Sequence, residues 1–111
     1  KGVAFEEFVG ANLRGEHGEF FTPREVVKMC VDMINPNLNE TVCDPACGSG
    51  GFLVMTLKKI TEILEKKTKG KRLMQAINDY ADKNILGIDF NPDLAKVSKM
   101  NMVLWILHLH L

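Results

Sequence analysis

The sequence has few residues that could build a metal centre or a disulfide framework. Cys30, Cys43 and Cys47 form no Cys-x-x-Cys pair, and the three histidines lie far from them along the chain. An odd number of cysteines at this spacing argues against zinc and disulfides and favours reduced thiols. We expect Cys30 on the apolar side of a helix and Cys43 at the end of a strand, both buried, and we assign no metal ligands.

Long hydrophobic runs and an excess of one sign of charge are also missing. Glu6 and Glu7 interrupt the apolar N-terminal stretch, which argues against a signal peptide, and no segment has the pattern of a membrane span. The net charge is zero, which gives no global attraction to nucleic acid, and the basic run 66–72 is interpreted as a solvated linker rather than a DNA contact. Hydrophobic and charged fractions of 46% and 25% are those of an ordinary globular chain, for which we expect a cytoplasmic location.

The segment Asp44–Phe52, which reads Asp-Pro-Ala-Cys-Gly-Ser-Gly-Gly-Phe, carries the strongest functional signal. It joins a predicted strand, Glu40–Cys43, to a predicted helix that begins near Gly51. Glycines in such a loop adopt backbone conformations closed to other residues and let a ligand approach the main chain, while amides at the helix start attract an anion. A dinucleotide fingerprint and a P-loop both fail, because each needs glycine where Leu53 stands. The loop therefore predicts a cofactor site in preference to a purely structural turn.

A second acidic residue follows the next predicted strand. That strand, Asn84–Ile88, leads into Asp89 and Phe90, and neighbouring parallel strands open at the same edge of a sheet. A carboxylate at this edge can accept hydrogen bonds from both hydroxyls of a ribose, and Phe90 can cover an adenine face. The alternative for Asp89 is a helix-capping turn, because Asn91-Pro92-Asp93 has the pattern of a cap. The two roles can coexist.

Local patterns predict the remaining elements. Thr22-Pro23-Arg24-Glu25 has the pattern of a capping box with proline at the first helical position. It predicts a helix that runs to about residue 34 and presents Val26, Cys30 and Met33, flanked by Val27 and Ile34, on one apolar side. Further helices are expected over about 3–13, 52–65, 73–82 and 92–104. The alternation of leucine and histidine over 107–111 predicts the start of a third strand.

Three segments, taken in order, resemble a known family. Gly18–Arg24, Asp44–Phe52 and Gly87–Pro92 resemble motifs X, I and II of S-adenosylmethionine-dependent DNA adenine methyltransferases, and as a set they resemble the modification subunit of type I restriction-modification systems. The resemblance implies S-adenosylmethionine as cofactor. It also implies these cofactor-binding residues: Phe21 and Thr22 from motif X, Asp44, Pro45, Ala46, Gly48 and Gly50 from motif I, and Asp89 and Phe90 from motif II. Because the cofactor carries an ammonium and a carboxylate, we expect Asp44 to face the ammonium and amides near Gly50 and Gly51 to bind the carboxylate.

The same resemblance implies the fold and the domain organisation. We expect an α/β fold, namely a partial, truncated Rossmann-like sheet with flanking helices. Residues 1–111 then form a single partial domain, with a helical segment carrying motif X over 1–39 and the cofactor-binding βαβα half over 40–111. The two acids are separated by about twice the usual distance of roughly 20 residues, which predicts an insertion between the strands.

The catalytic element of the family, Asn-Pro-Pro-aromatic, is missing from the sequence. The only Asn-Pro pairs are Asn35-Pro36, followed by Asn37, and Asn91-Pro92, followed by Asp93. We therefore assign no catalytic residues and expect a fragment that is inactive alone. By resemblance its partners are DNA, bound through the full-length protein, and separate specificity and restriction subunits, while uncovered sheet surface favours self-association. A methyltransferase-like assembly module that binds no donor and a nicotinamide-dependent oxidoreductase domain remain alternatives.

Overall fold

A computed structural model of the chain describes residues 21–109, which form four helices and two short parallel strands. In chain order these elements are α1 (Arg24–Ile34), β1 (Val42–Asp44), α2 (Gly51–Glu65), α3 (Gly70–Asn84), β2 (Ile85–Gly87) and α4 (Pro92–Leu109). The architecture is a mixed one, in which helices pack around a small parallel sheet. The helix predicted at 3–13 lies outside the described residues. Within 21–109, no helix is both long enough and apolar enough to cross a membrane.

The two strands pair in parallel, with Asp44 opposite Gly87. α2 and α3 lie between them in the chain, where the sequence predicted an insertion, and α2 packs against both strands. Each strand has three residues and is shorter than predicted. One reason lies before β1, where the Glu40 carbonyl accepts hydrogen bonds from Tyr80 Oη at 2.9 Å and Asn84 Nδ2 at 3.2 Å rather than from a neighbouring strand.

The largest buried cluster lies between α2 and α3. Leu57, Ile60 and Ile77 are fully buried, and Leu64 and Tyr80 complete the cluster. In α2 these apolar residues recur at intervals of three and four, so that one stripe of the helix faces the core. Full burial of a side chain of this size stabilises the fold by about 1.5–3 kcal/mol. The cluster therefore holds α2, and the loop at its N-terminal end, in a defined position.

α1 ends where predicted, but its start and its buried side differ from the prediction. Pro23 is the N-cap residue, with ψ of 143°, rather than the first helical residue, and no side chain caps the helix, so the predicted capping box is wrong. Val27 and Val31 are buried, whereas Val26 and Met33 are 41% and 77% exposed. The helix is apolar on more than one side, and its contact with α2 decides which side is buried.

α4 begins as predicted and extends further than predicted. Asn91 Oδ1 accepts a hydrogen bond from Asp93 N at 2.9 Å, and Pro92 is the first helical residue, so the predicted cap is confirmed. The helix continues to Leu109 instead of ending near residue 104. The third strand predicted from alternation is therefore wrong over 107–109, because a short alternating run at the end of a largely apolar helix is also compatible with helix. Residues 110 and 111 lie outside the described residues.

The cysteines also depart in part from expectation. Cys47 is buried, but Cys43 is exposed and Cys30 is only half-buried, so the prediction that Cys30 and Cys43 are buried is wrong. Cys43 pairs across the sheet with Leu86, which is 52% exposed. Both residues of this pair are therefore in contact with solvent.

Candidate functional site

The loops that follow β1 and β2 meet at the carboxyl edge of the sheet. Ile88 N donates to Asp44 O, and Cys47 N donates to Ile88 O, each at 2.9 Å. Gly48 N donates to Asp89 Oδ2, also at 2.9 Å. Residues from the motif I and motif II segments are therefore in direct contact, as expected when two parallel strands end at the same edge.

Asp44 has one carboxylate oxygen bonded within its loop and one without a partner. Oδ1 accepts a hydrogen bond from Ala46 N at 3.1 Å, which stabilises the turn after β1. Oδ2 is buried and has no hydrogen-bond partner among residues 21–109. A buried carboxylate oxygen without a partner is unfavourable by itself. This atom therefore suits a cationic hydrogen-bond donor that enters the site.

Both carboxylate oxygens of Asp89 accept hydrogen bonds from the backbone. Oδ2 accepts from Gly48 N, and Oδ1 accepts from Asn91 N at 2.8 Å. The side chain thus ties the two loops together, a role that sequence reasoning did not assign to it. Each carboxylate oxygen has a second lone pair, so Asp89 retains capacity to accept hydrogen bonds from ribose hydroxyls.

Two loop glycines adopt left-handed backbone conformations, as their position in the loop led us to expect. φ is 53° at Gly48 and 91° at Gly50. The Gly50 amide, expected to bind a carboxylate, instead donates to Cys47 O at 2.8 Å within the turn. Within residues 21–109, no side chain caps α2, which begins at Gly51. Its first-turn amides, rather than the Gly50 amide, are thus the groups placed to attract an anion.

The remaining predicted site residues differ in how they are placed. Phe21 packs on the loop, since a Cβ added to Gly48 would lie 3.3 Å from Phe21 Cε1. Phe90 is fully exposed, so its ring is open to a planar partner. Thr22, Pro45 and Ala46 are exposed as well. The structure therefore brings Phe21 and Asp89 together through Gly48, while the other residues of this set present open surface.

Cys47 lies inside the loop but does not have the environment of a nucleophile. Burial raises the pKa of the Cys47 thiol, and the Asp89 and Asp44 carboxylates raise it further, against the opposing effect of a hydrogen bond with Ser98. The Cys47 Sγ to Ser98 Oγ distance is 3.6 Å. The thiol therefore stays protonated near neutral pH and acts as a small buried side chain. Across residues 21–109, no cluster of three or more His, Cys, Asp or Glu side chains could hold a metal ion.

Sequence reasoning missed three residues that shape the site. A Cβ added to Gly87 would lie 2.6 Å from Leu53 Cδ1, so a larger residue in β2 requires Leu53 of α2 to move. Asn101 Nδ2 donates to Ser49 O at 2.6 Å, and Ser98 contacts the loop next to it. For Ser98 and Asn101 the signal available in the sequence was their spacing from the apolar Leu94, by four and seven positions, which places them on the same side of α4.

A separate cleft shares Asp44 with the loop junction. It has a volume of about 230 Å³ and lies beside β1, lined by Val31, Ile34, Pro36, Val42, Cys43, Asp44, Phe52 and Thr56. Neither Gly48 nor Asp89 lines it. Its lining is largely apolar, so we treat it as part of the uncovered surface next to β1 and not as the loop junction itself.

Comparisons connect the chain with known proteins at the level of sequence. The profile of the N-6 DNA Methylase family matches residues 2–109. The chain is 35% identical over 106 residues to the type I restriction enzyme HindI methylase subunit of Haemophilus influenzae. The aligned region covers 93% of this chain and 21% of the relative. It is 41% identical over 61 residues to the type I restriction enzyme EcoEI methylase subunit of Escherichia coli. Here the aligned region covers 55% of this chain and 12% of the relative.

A solved structure gives the same connection. The fold matches the crystal structure of a type I modification subunit from Vibrio vulnificus YJ016 with a TM-score of 0.71 and 28% identity, over 93% of this chain and 20% of that one. The resemblance to type I modification subunits that the motifs predicted is confirmed. The chain spans about a fifth or less of the length of these relatives.

Proposed function

The chain belongs to the N-6 DNA Methylase family, and on that premise we propose that it is the S-adenosylmethionine-binding part of a site-specific DNA adenine-N6 methyltransferase of a type I restriction-modification system. Residues 40–111 would form half of a Rossmann-like methyltransferase sheet, preceded by a segment over 1–39 that carries motif X. The observation that supports this proposal best is the buried, unpartnered Oδ2 of Asp44 beside the loop that contacts Asp89.

Asp44 and the start of α2 suit the two charged groups of the methionine end. S-adenosylmethionine, when bound, supplies a methyl group that is activated by its attachment to a sulfonium. Asp44 Oδ2 accepts a hydrogen bond from the ammonium and so gains the partner it otherwise lacks. The N-terminal end of α2, which no side chain of the described residues caps, binds the carboxylate through its first-turn amides.

The other predicted residues fit the nucleoside and the pocket wall. Asp89 accepts hydrogen bonds from the ribose hydroxyls with the lone pairs that Gly48 N and Asn91 N leave open. Phe90, which is fully exposed, stacks on the adenine. The rest of the proposed site is formed by Phe21, Thr22, Pro45, Ala46, Gly48 and Gly50.

The two Asn-Pro pairs of the chain have structural roles, which supports the proposal that it does not catalyse transfer by itself. Asn35 ends α1 with φ of 51°, and its amide donates to Val31 O at 2.8 Å. Asn91 caps α4. Neither pair is followed by the Pro-aromatic of the family's catalytic motif, Asn-Pro-Pro-aromatic, which accepts hydrogen bonds from the flipped adenine amine during the reaction. We place that step, and the contacts with DNA and with specificity and restriction subunits, in the longer protein to which such a segment belongs.

One observation favours an alternative, namely a methyltransferase-like assembly module that binds no donor. Both Asp89 oxygens already accept backbone hydrogen bonds, and a capping and loop-tying role alone would account for that residue. The buried Asp44 Oδ2 weighs against it, because a purely structural loop leaves this oxygen unsatisfied. No observation favours a nicotinamide-binding domain.

Titration calorimetry tests the proposal. We expect heat of binding with S-adenosylmethionine and S-adenosylhomocysteine and none with NAD. Asp44→Asn, which keeps the size of the side chain and removes its charge, should weaken donor binding by roughly ten- to hundredfold, because a hydrogen bond to a charged group is lost. Asp82→Asn, at an exposed position on α3, is the matched control and should bind like wild type.

Two results would count against the proposal. A folded chain, verified by circular dichroism, that binds none of the three ligands would favour the assembly module. Donor binding that is unchanged in Asp44→Asn would remove Asp44 from the site while leaving the cofactor in place.

A further inference from the structure

We propose that Ser98 and Asn101 of α4 are positioning residues that hold the glycine loop, defined as residues 47–50, in the conformation that binds the methyl donor. For its ligand the inference rests on the proposed function above. The contacts that carry it lie within the chain and do not depend on that ligand.

The buried side of α4 becomes polar where the helix meets the loop. Leu94, Ser98 and Asn101 are 2%, 5% and 6% exposed, and their spacing of four and three places them on one side of the helix. On the same helix Met100 and Val103 are 44% and 48% exposed. A helix that buries serine and asparagine while exposing methionine and valine is not arranged for apolar burial alone. Buried polar groups need partners, and here the glycine loop provides them.

Asn101 holds one peptide plane of the loop. Its Nδ2 donates to Ser49 O at 2.6 Å, across 52 positions of sequence, and both residues are buried. The N–H of the same peptide unit, that of Gly50, donates to Cys47 O at 2.8 Å. Because a peptide unit is planar, two hydrogen bonds at its opposite ends determine its orientation. This peptide unit leads into Gly50, the N-cap residue of α2, and we assign the first-turn amides of that helix to the donor carboxylate.

Ser98 determines how closely α4 approaches the loop. A Cβ added to Gly50 would lie 3.0 Å from Ser98 Cβ and 3.2 Å from Ser98 Cα, so the two backbones are nearly in contact. The Ser98 hydroxyl donates to Ala95 O at 2.8 Å and accepts from the Cys47 thiol at 3.6 Å. A larger side chain at position 98 would separate the helix from the loop.

When the contacts with α4 are added to those with the loop after β2, every residue of the glycine loop has a contact that holds it. Cys47 and Gly48 are bonded to the loop after β2, and Ser49 and Gly50 are held against α4. A ligand that binds a loop already in its bound conformation avoids the free-energy cost of ordering it. Loosening the α4 side should therefore lower donor affinity without removing any group that touches the donor.

The test uses Asn101→Ala with Asn78→Ala as its matched control. Asn78 Nδ2 also donates to a backbone carbonyl, that of Met74 at 2.9 Å, but on the exposed side of α3. Hydrogen exchange at the Gly50 amide is measured in the free chain, and S-adenosylhomocysteine affinity by calorimetry well below the unfolding temperature. In Asn101→Ala we expect exchange to accelerate and affinity to fall by roughly ten- to hundredfold, since a buried carbonyl loses its partner. Asn78→Ala should stay within about twofold of wild type, because its lost bond is exposed.

A second pair of variants covers the case in which Asn101→Ala does not fold. Ser98→Ala keeps the close approach and should leave Gly50 exchange near wild type, whereas Ser98→Val adds bulk against Gly50 and should accelerate exchange and weaken binding. Equal Gly50 exchange in the two Ser98 variants, or in Asn101→Ala and Asn78→Ala, would overturn the inference. A lower unfolding temperature with unchanged affinity would also overturn it, since that result indicates general packing only.

The two proposals can fail separately. If wild type binds no S-adenosylhomocysteine, the proposed function fails, and Gly50 exchange in the free chain still decides whether Ser98 and Asn101 position the loop.

Discussion

At the scale of single residues, three glycines illustrate two physical reasons for having glycine at a position. One is a left-handed backbone conformation, and the other is a close contact that a Cβ would make. Gly87 lies in a strand without positive φ, but a Cβ there would lie 2.6 Å from Leu53 Cδ1. Gly70 has φ of 61° and open space where a Cβ would be. At Gly50 φ is 91°, and an added Cβ would lie 3.0 Å from Ser98 Cβ. Backbone strain and steric contact therefore act singly at the first two positions and together at Gly50.

Alanine substitutions at these glycines should destabilise the fold to different extents. Gly70→Ala should cost about 1 kcal/mol, because only the left-handed conformation is unfavourable. Gly87→Ala should cost about 1–3 kcal/mol, because Leu53 has to move. Gly50→Ala should cost more than Gly70→Ala, because both effects apply. Urea unfolding followed by circular dichroism measures the three free energies. If Gly50→Ala were no more harmful than Gly70→Ala, α4 would not approach the loop as closely as described.

The residues of the site that the sequence predicted are those whose roles depend on local pattern. An acid at a strand end and glycines between a strand and a helix can be recognised within ten residues, which is why the sequence alone points to Asp44, Gly48 and Gly50. Asn101 and Gly87 owe their roles to Ser49 and Leu53, which are remote in sequence. Hydrophobic periodicity reports the buried side of an element, not the remote partner it meets, so these contacts could not be predicted.

At the scale of elements, a tyrosine on α3 holds the segment that leads into β1. Tyr80 Oη donates to Glu40 O at 2.9 Å, and Tyr80 itself is buried in the cluster between α2 and α3. Burial raises the pKa of the Tyr80 phenol, and the negative charge of Glu40 raises it further. The folded chain therefore keeps the phenol protonated at a pH where the unfolded chain begins to lose the proton.

Tyr80→Phe should lower the free energy of unfolding by about 0.5–1.5 kcal/mol near neutral pH, the typical net value of one hydrogen bond. The loss stays within that range because Asn84 Nδ2 still donates to Glu40 O. Since the pKa is raised in the folded state, the contribution of Tyr80 is fully present below its ordinary value of 10.0 and is lost as pH rises beyond it. The advantage of wild type over Tyr80→Phe should therefore shrink between about pH 8 and about pH 10.5.

Urea unfolding at the two pH values measures this change. Tyr80 is the only tyrosine of the sequence, so the difference between wild type and variant reports this phenol alone. An advantage that stayed constant, or grew, with pH would show that the phenol is not protonated preferentially in the folded state.

A boundary that a local cap determines could be predicted, whereas the far end of α4 and the buried side of α1 could not. Asn91 and Pro92 form a cap that is written in consecutive residues, and the start of α4 follows from it. The far end of α4 and the buried side of α1 depend on packing. In α1, Val27 and Val31 are buried and Val26 and Met33 are exposed because α2 lies on one side, and apolar residues on more than one side of α1 leave that side ambiguous in the sequence.

At the scale of the whole molecule, the family could be predicted because three motifs occur in order, whereas the extent of uncovered surface could not. Four apolar residues on α4 are 42% to 54% exposed and follow the spacing i, i+3, i+4, i+7, namely Met100, Val103, Leu104 and Leu107. We call this set the α4 stripe. On β2, Leu86 is 52% exposed, and just after the strand Ile88 is 50% exposed. A contiguous apolar stripe of this kind is typical of an interaction surface.

The magnitude of burial indicates how strong self-association through the α4 stripe can be. Covering the exposed half of one such side chain is worth about 1 kcal/mol, so eight of them from two copies contribute on the order of 8 kcal/mol. The loss of translational and rotational freedom on association costs roughly 4–15 kcal/mol. The two estimates are of similar size, and we therefore expect weak association that depends on concentration rather than a permanent dimer.

Size-exclusion chromatography with light scattering over a concentration series tests this expectation. The mass of wild type should rise with concentration, whereas Val103→Lys combined with Leu107→Lys should keep the chain monomeric, because burying two ammonium groups is unfavourable. Both positions are about half exposed, so lysine is accommodated in the folded monomer. Lys96→Gln, at an exposed polar position of the same helix, should associate like wild type. A wild-type chain that is monomeric throughout would contradict self-association, and association abolished by Leu86→Lys but not by the α4 variant would move the interface to the sheet.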